Sequence, residues 1–375
     1  MLRLLKNLFS LDWILVASLV PLLSFGVLTM KSFVDNEGLF EKQLLWIGIS
    51  IVLFFGLSLI DFRFLKKTSS TMIVFLFSVV TLGLLPLFGK TIKGSTSWYD
   101  FGFFSFQPSD LAKIALILVL AKYFSKRHIE IAHIKHIFIS GFYTSILFAL
   151  IMLQPDLGSG IIVCAIWFGM VLVSGISKKH LFSVLCLAIL AVSLLWVFVF
   201  KDYQKNRIKT FLNPLADVRG AGYNAHQSVI AVGSGEVFGK GIGYGTQSRL
   251  NFLPEYETDF IFAAFAEEWG FIGVLILFGS YILFILRLLS HAMKGESNFE
   301  TLYVIGFVIM IVSHFVVNVG MNIGLMPVTG IPLPFLSYGG SHMMTLFAGL
   351  GVVMGMYRYR RATHREFMKN EFLGI

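Results

Sequence analysis

Long apolar runs separated by short polar breaks dominate the chain. They cover residues 12–30, 43–60, 70–89, 108–123, 137–153, 158–174, 181–200, 259–286, 300–323 and 341–357. A helix needs about 20 apolar residues to cross a bilayer, so the pattern predicts an all-α polytopic membrane protein with ten transmembrane helices. Residues 1–11, with Arg3 and Lys6, read as a short basic interfacial helix. The 12–30 run is too long for the apolar part of a signal peptide and lacks a clear small-residue cleavage site, so it reads as a retained first span. One break is long: residues 201–258, between the seventh and eighth spans, form the largest soluble feature. With no repeat of 20–50 residues and no clear inverted repeat, 1–375 reads as a single integral membrane domain.

Composition agrees with the pattern. Hydrophobic residues make up 56% and charged residues 14% of the chain, and the mean hydropathy is +0.80. A soluble domain carries about 25% charged residues, and disorder needs high charge with low hydrophobicity; both are excluded. The net charge of +9 would suggest nucleic acid in a soluble protein. Here Lys and Arg act as topology signals instead. Most of the 30 basic residues fall in segments that share the side of the N-terminus. Both termini are therefore expected in the cytoplasm and 201–258 outside, with no nucleic-acid partner. Cys164 and Cys186 lie inside apolar runs and read as small buried hydrophobes rather than a disulfide or metal framework.

The long loop opens with Lys201, Lys205, Arg207 and Lys209 and then turns Gly-rich at Gly233, Gly235, Gly239, Gly241, Gly243 and Gly245. The stretch GSGEVFGKG is not a nucleotide loop: Gly241 follows Lys240 where Ser or Thr is required. A Gly-rich backbone here is expected to fold tightly against the membrane surface and expose N–H groups to anions.

Ionisable and backbone-breaking residues near spans are costly, so each cluster is a functional candidate. In Gln107–Lys113, Pro108 suits a first helical turn and Asp110 and Lys113 share a face at i,i+3; the pair is either structural or functional. In Gln154–Gly160, Asp156 reads as the cap of the next helix. In Leu253–Asp259, Thr258 or Asp259 could cap the eighth span, with Glu267 and Glu268 about two turns deeper. Carboxylates there exceed what capping needs. In Asn322–Ser341, Pro327, Pro332, Pro334 and several glycines rule out a regular helix, which predicts a loop folded over the mouth of a cavity. All four clusters fall on the outer side of the charge-based topology. An outer-leaflet cavity rimmed by carboxylates, Lys113 and a basic loop suits a substrate with a lipid tail and an anionic head.

Four stretches carry a resemblance: WYDFGFFSFQPSDLAK, QPDLGSG, the segment from Gly222 to Gly273 with LPEYETDFIFAAFAEEWG, and MNIGLMPVTGIPLPFLSYGGS. In this order, over nearly the whole chain, they resemble the SEDS family (shape, elongation, division and sporulation), its elongation branch more than its division branch. The resemblance implies a ten-span fold and peptidoglycan glycosyltransferase activity for cell-wall elongation and rod shape in the bacterial cytoplasmic membrane. The implied substrate is lipid II, a disaccharide-pentapeptide on undecaprenyl diphosphate. The implied partners are a class B penicillin-binding protein and other elongation-complex proteins. The family's functional carboxylate falls on Asp259, and its Q-P-S-E-x-x-K motif on Gln107, Pro108, Ser109, Asp110 and Lys113. The chain departs from the family at Asp110, where Glu is usual, at Ser97 and Ser105, where Arg is frequent, and at His342, where Ser is frequent.

Joining an acceptor hydroxyl to the anomeric carbon of a lipid diphosphate needs one base and a cationic clamp on the leaving group. A glycosidase also needs an acid for a poor leaving group. Asp259 is assigned the base of an inverting transfer. Lys113, Arg207, Lys240 and Arg249 are candidate phosphate partners, Asp110 and Ser341 further substrate-binding candidates, and a divalent ion, Mg or Mn, a candidate helper. The rival readings are a lipid-precursor flippase or transporter, the division paralogue, and a non-catalytic scaffold. Strand synthesis from lipid II separates an enzyme from a flippase or a scaffold.

Overall fold

The computed structural model describes residues 11–33, 38–92, 95–126, 134–198, 200, 202–213, 220–250 and 252–373. Each of the ten apolar runs coincides with a long helix: α1 (Trp13–Lys31), α2 (Leu39–Ser58), α3 (Thr68–Phe88), α4 (Pro108–Ser125), α5 (Ile134–Leu153), α6 (Leu157–Val173), α7 (Lys178–Phe198), and then, beyond the long loop, α11 (Ile261–Met293), α12 (Asn298–Asn322) and α13 (Gly340–Leu373). Among the described residues seven of these are long and apolar enough to cross a membrane. The others are α6, 17 residues long, α4, which buries Asp110 and Lys113, and α13, which buries Ser341 and His342 near its start. The chain is a multi-pass helical membrane protein.

Helices α4 and α12 form the centre. They pack on each other, with α3 and α6 against α4 and α6 and α11 against α12. Along α4 the run from Ala112 to Ala121 is buried throughout. Around this centre α1 lies along α11 and α2 along α13. Asp12 fixes the α1–α11 contact at one end. It caps α1 through the amides of Ile14 and Leu15 and pairs with Arg287 and His291 of α11, each at 2.7 Å. Helix α7 is the outlier, with Phe182, Ile189, Val197 and Phe198 turned outward. Cys164 and Cys186 are also exposed. This corrects the expectation of buried cysteines: apolar runs in a membrane protein have a lipid-facing side as well as a core side.

Two connections add structure to the all-helical expectation. Between α3 and α4 a three-stranded antiparallel sheet forms from β1 (Lys90–Ile92), β2 (Ser95–Asp100) and β3 (Ser105–Phe106). It pairs Lys90 with Trp98 and Tyr99 with Phe106. A 2.5 Å ion pair joins Lys90 to Asp100 across it, and this hydrogen bond with the Gly102 amide lowers the Asp100 carboxyl. The strands are too short to leave a period-2 signature in the sequence.

The long loop holds α8 (Asp202–Leu212), α9 (Ala221–Ser234) and the short α10 (Thr246–Arg249). Its Gly-rich part is not an open surface. Helix α11 is broken at Gly270, where φ is +66° and ψ is −170°, a conformation open to glycine only. Chain 235–241 lies against this break: Lys240 and Gly241 amides donate to the Glu267 and Glu268 carbonyls, and the Phe271 and Ile272 amides donate back to Glu236 and Val237. The N–H groups of Gly241 and Gly243 are thus spent on α11, because a broken helix leaves backbone groups that need partners, and those of Gly235 and Gly239 on carbonyls just upstream. Phe238 and Tyr244 on this segment are 81% and 68% exposed, an apolar outer surface rather than a soluble one.

Candidate active site

The segment between α12 and α13 carries the site. Its apolar side chains Ile331, Leu333, Phe335 and Leu336 are buried in the core, so it plugs the bundle rather than bridging the mouth of a void. Irregular backbone at this depth requires internal partners, and several come from helix side chains, the others from the plug itself and from the Glu257 carbonyl. Tyr281 of α11 donates to the Pro334 carbonyl. Asn318 of α12 donates to the Ile331 carbonyl at 2.8 Å. Ser337 Oγ accepts from the Leu333 amide and donates to the Thr258 carbonyl. Gln43 of α2 donates to the Ser337 carbonyl at 3.4 Å. On the α1 side Gly26 lets the Leu336 backbone approach: a Cβ there would lie 2.7 Å from the Leu336 oxygen.

Under this plug lies a buried charged cluster. Pro108 opens α4 and the Gln107 amide donates to Ser341 Oγ of α13 at 3.0 Å. Gln107 Nε2 reaches Asp156, which caps α6 through the Ser159 amide. On the next turn Lys113 Nζ donates to Asp110 Oδ1 at 2.9 Å, both side chains 3% exposed. Lys113 also lies 3.4 Å from His314 Nε2, and His314 Nδ1 lies 3.3 Å from the Pro332 carbonyl. A carbonyl only accepts, so Nδ1 carries the hydrogen and Nε2 accepts from the ammonium. The ring of His342 stacks on His314 with centroids 4.9 Å apart. Its Nδ1 is 3.4 Å from Asp110 Oδ2, within ion-pair range but outside hydrogen-bond geometry.

Asp259 sits further along the same face of α12. His314, Asn318 and Asn322 recur at every fourth residue, all fully buried, and so form one stripe. Asn318 Nδ2 and Asn322 Nδ2 both donate to the Asp259 carbonyl at 3.0 Å. The half-buried carboxylate itself faces Gly330 of the plug: a Cβ at Gly330 would stand 3.5 Å from Asp259 Oδ2. The expectation that Thr258 or Asp259 caps the eighth span is corrected. The N-cap is Phe260, and no side chain of its own caps the helix.

Sequence-derived candidates thus separate. Asp110, Lys113 and Ser341 gather at the start of α4, and Asp259 joins them through α12. Lys240 does not. It pairs with Glu267 at 2.7 Å, whose carboxylate also accepts from the Thr246 and Gln247 amides. Glu268 accepts from the Gly243 amide. The two glutamates therefore anchor the Gly-rich segment, and Lys240 neutralises one of them. Arg207 is half-buried on α8 and Arg249 exposed at the end of α10. The stripe of His314, Asn318 and Asn322 went unread in the sequence, although polar residues four apart inside an apolar run are its signal. Among the described residues no group of three or more His, Cys, Asp and Glu is arranged to hold a metal ion.

A family model described as a cell cycle protein, FtsW/RodA/SpoVE, matches residues 6–362. The chain belongs to this FtsW/RodA/SpoVE family. Among the family's members it is similar to the peptidoglycan glycosyltransferase MrdB of Escherichia coli K12, 36% identical over 94% of each chain. The peptidoglycan glycosyltransferase RodA of Treponema pallidum is 33% identical, over 94% of this chain and 98% of that one. The stage V sporulation protein E of Bacillus subtilis is 34% identical over the same shares. Among solved structures, a chain of a peptidoglycan synthase complex that coordinates polymerization and crosslinking superposes with a TM-score of 0.80 at 32% identity, covering 93% of this chain and 98% of that one. The rod-shape-determining protein RodA of Thermus thermophilus gives 0.71 at 30% identity, covering 93% and 97%. An FtsW/RodA/SpoVE fold therefore holds the buried Asp110–Lys113 pair and Asp259 described above.

Proposed function

We propose that the chain is a peptidoglycan glycosyltransferase that polymerises lipid II by inversion, with Asp259 as base and Lys113 as the cation for the leaving diphosphate. The observation that carries this reading is the placement of Asp259: a half-buried carboxylate, not engaged in capping, clamped through its own carbonyl by two buried asparagines. The acceptor hydroxyl oxygen bonds to the anomeric carbon as the bond from that carbon to the diphosphate oxygen breaks. The hydroxyl proton passes to Asp259, and the electron pair leaves on undecaprenyl diphosphate. A single displacement of this kind inverts the anomeric centre. Lys113, held by Asp110 and His314, compensates the charge of the departing diphosphate, the largest electrostatic demand of the step. A class B penicillin-binding protein and the other elongation-complex proteins are the proposed partners. The proposed setting is the bacterial cytoplasmic membrane, with ten crossings, both termini inside and 201–258 outside. Asp259→Asn keeps size and hydrogen-bonding shape but takes no proton. Purified with its partner, this variant is expected to lose roughly 10²-fold or more in strand synthesis from lipid II, the scale of a lost general base. Near-normal synthesis by folded Asp259→Asn would remove Asp259 from the role.

A further inference from the structure

Helix α11 begins beside the chemistry, and something other than its own sequence caps it. Counting from the N-cap Phe260, Ala263 is the third helical residue, the position whose amide a capping side chain ordinarily satisfies. Its amide bonds to Asn322 Oδ1 at 3.1 Å, from the last residue of α12, and shares this bond with the Phe260 carbonyl. The rest of the Asn322 amide is used as fully. Nδ2 donates to the Asp259 carbonyl at 3.0 Å and to the Asn318 carbonyl at 2.8 Å. Ser228 of α9 donates to both the carbonyl and Oδ1 of Asn322, at 2.9 and 3.2 Å. With carbonyls around the nitrogen and donors around the oxygen, only one orientation of the amide fits. Asn322 is fully buried, and so are Asn318 and Ser228.

Asparagine at this point does two jobs with one group. It takes over a cap that Thr258 or Asp259 would supply by sequence preference, and it holds the Asp259 backbone by the residue's own carbonyl. Had Asp259 capped α11, its carboxylate would point at helix amides and away from an approaching hydroxyl. We infer that Asn322 is the positioning residue for Asp259: it caps α11 from α12 in place of Thr258 or Asp259 and fixes the Asp259 backbone through its carbonyl, and Ser228 locks the Asn322 amide from the loop helix. This inference rests on the reading of Asp259 as base and extends it to α9 and α12.

The test uses the full chain in complex with its partner. Asn322→Asp keeps shape and the acceptor toward Ala263 but loses the donor to the Asp259 carbonyl. Asn322→Ala loses both. Misplacing a reacting group by about 1 Å costs on the order of 10²-fold. Both variants are therefore expected to lower kcat for lipid II polymerisation by about that factor with KM changed no more than about twofold. Ser228→Ala, which leaves the Asn322 amide in place, is expected to give a smaller fall in kcat of the same kind. Hydrogen exchange supplies a readout independent of the chemistry: amides 260–264 lose protection in Asn322→Ala and keep it in Asn322→Asp. Folded Asn322→Asp with native kcat would overturn the inference, as would native protection of 260–264 in Asn322→Ala. An active Asp259→Asn overturns only the base reading and leaves the exchange result standing.

Discussion

Lys113 brings a full charge into the interior and spends two of its donors there, on Asp110 and His314. Removing one partner of such a pair leaves an uncompensated buried charge, at a cost of about 3–5 kcal/mol, whereas removing both costs less. Asp110→Asn and Lys113→Met are each expected to depress folded yield and thermal stability strongly. The double variant should recover part of the loss, a non-additivity that a thermal-unfolding cycle reads directly. Additive losses would mean that the pair is not coupled. The i,i+3 spacing made this pair visible in the sequence. His314 and His342 were not visible as its neighbours, because they lie on two other helices, and nothing local relates residue 314 to residue 113. Asp259 was flagged by an excess of carboxylates at a helix start. Its release from capping depends on Asn322, a residue the sequence could only assign to a loop boundary.

At the scale of elements, α11 is the instructive case. Its apolar run reads as one uninterrupted span, and the break at Gly270 is invisible because glycine is common in transmembrane helices. The break exists to receive the Gly-rich segment. Gly239 approaches the Gly270 amide so closely that a Cβ on Gly239 would stand 2.7 Å from it. Gly270→Ala forces an L side chain into a glycine-only region, at a cost of about 1–3 kcal/mol, and pushes a methyl group into the facing backbone. It is expected to lower the unfolding temperature in detergent and to raise hydrogen exchange over 236–248 more than over α4. Unchanged exchange across 236–248 would mean that the break and the loop are independent. The glycine spacing announced a tight backbone; its destination was hidden, since the acceptors are carbonyls some thirty residues later in the chain. The small sheet before α4 was missed for the opposite reason, as its strands are too brief to carry any pattern.

For the whole molecule, hydropathy alone located the ten long helices found among the described residues, because lipid and core both demand apolar side chains. For the same reason it could not say which face of each helix meets which medium, and the two cysteines show this plainly. Their outward position makes a cysteine-free background practical for mapping orientation. Single cysteines at positions 224 and 370, with Cys164 and Cys186 replaced, test the charge-based topology with a membrane-impermeant thiol reagent on intact cells. Labelling at 224 and protection at 370 are expected. The reverse pattern would invert the orientation.

The buried plug between α12 and α13 also bears on how the protein is made. Gln43 and the Gly26 surface, which belong to the first helices to leave the ribosome, find their partners in residues 336–339, synthesised near the end. Until then Gln43 and Tyr281 lack the backbone partners that the plug supplies, and Asn318 lacks the Ile331 carbonyl. Insertion and closure are therefore separate events in time. Any chain cut short before α13 enters the bilayer with a polar seam down its middle, which is the kind of surface that membrane proteases and insertion chaperones recognise.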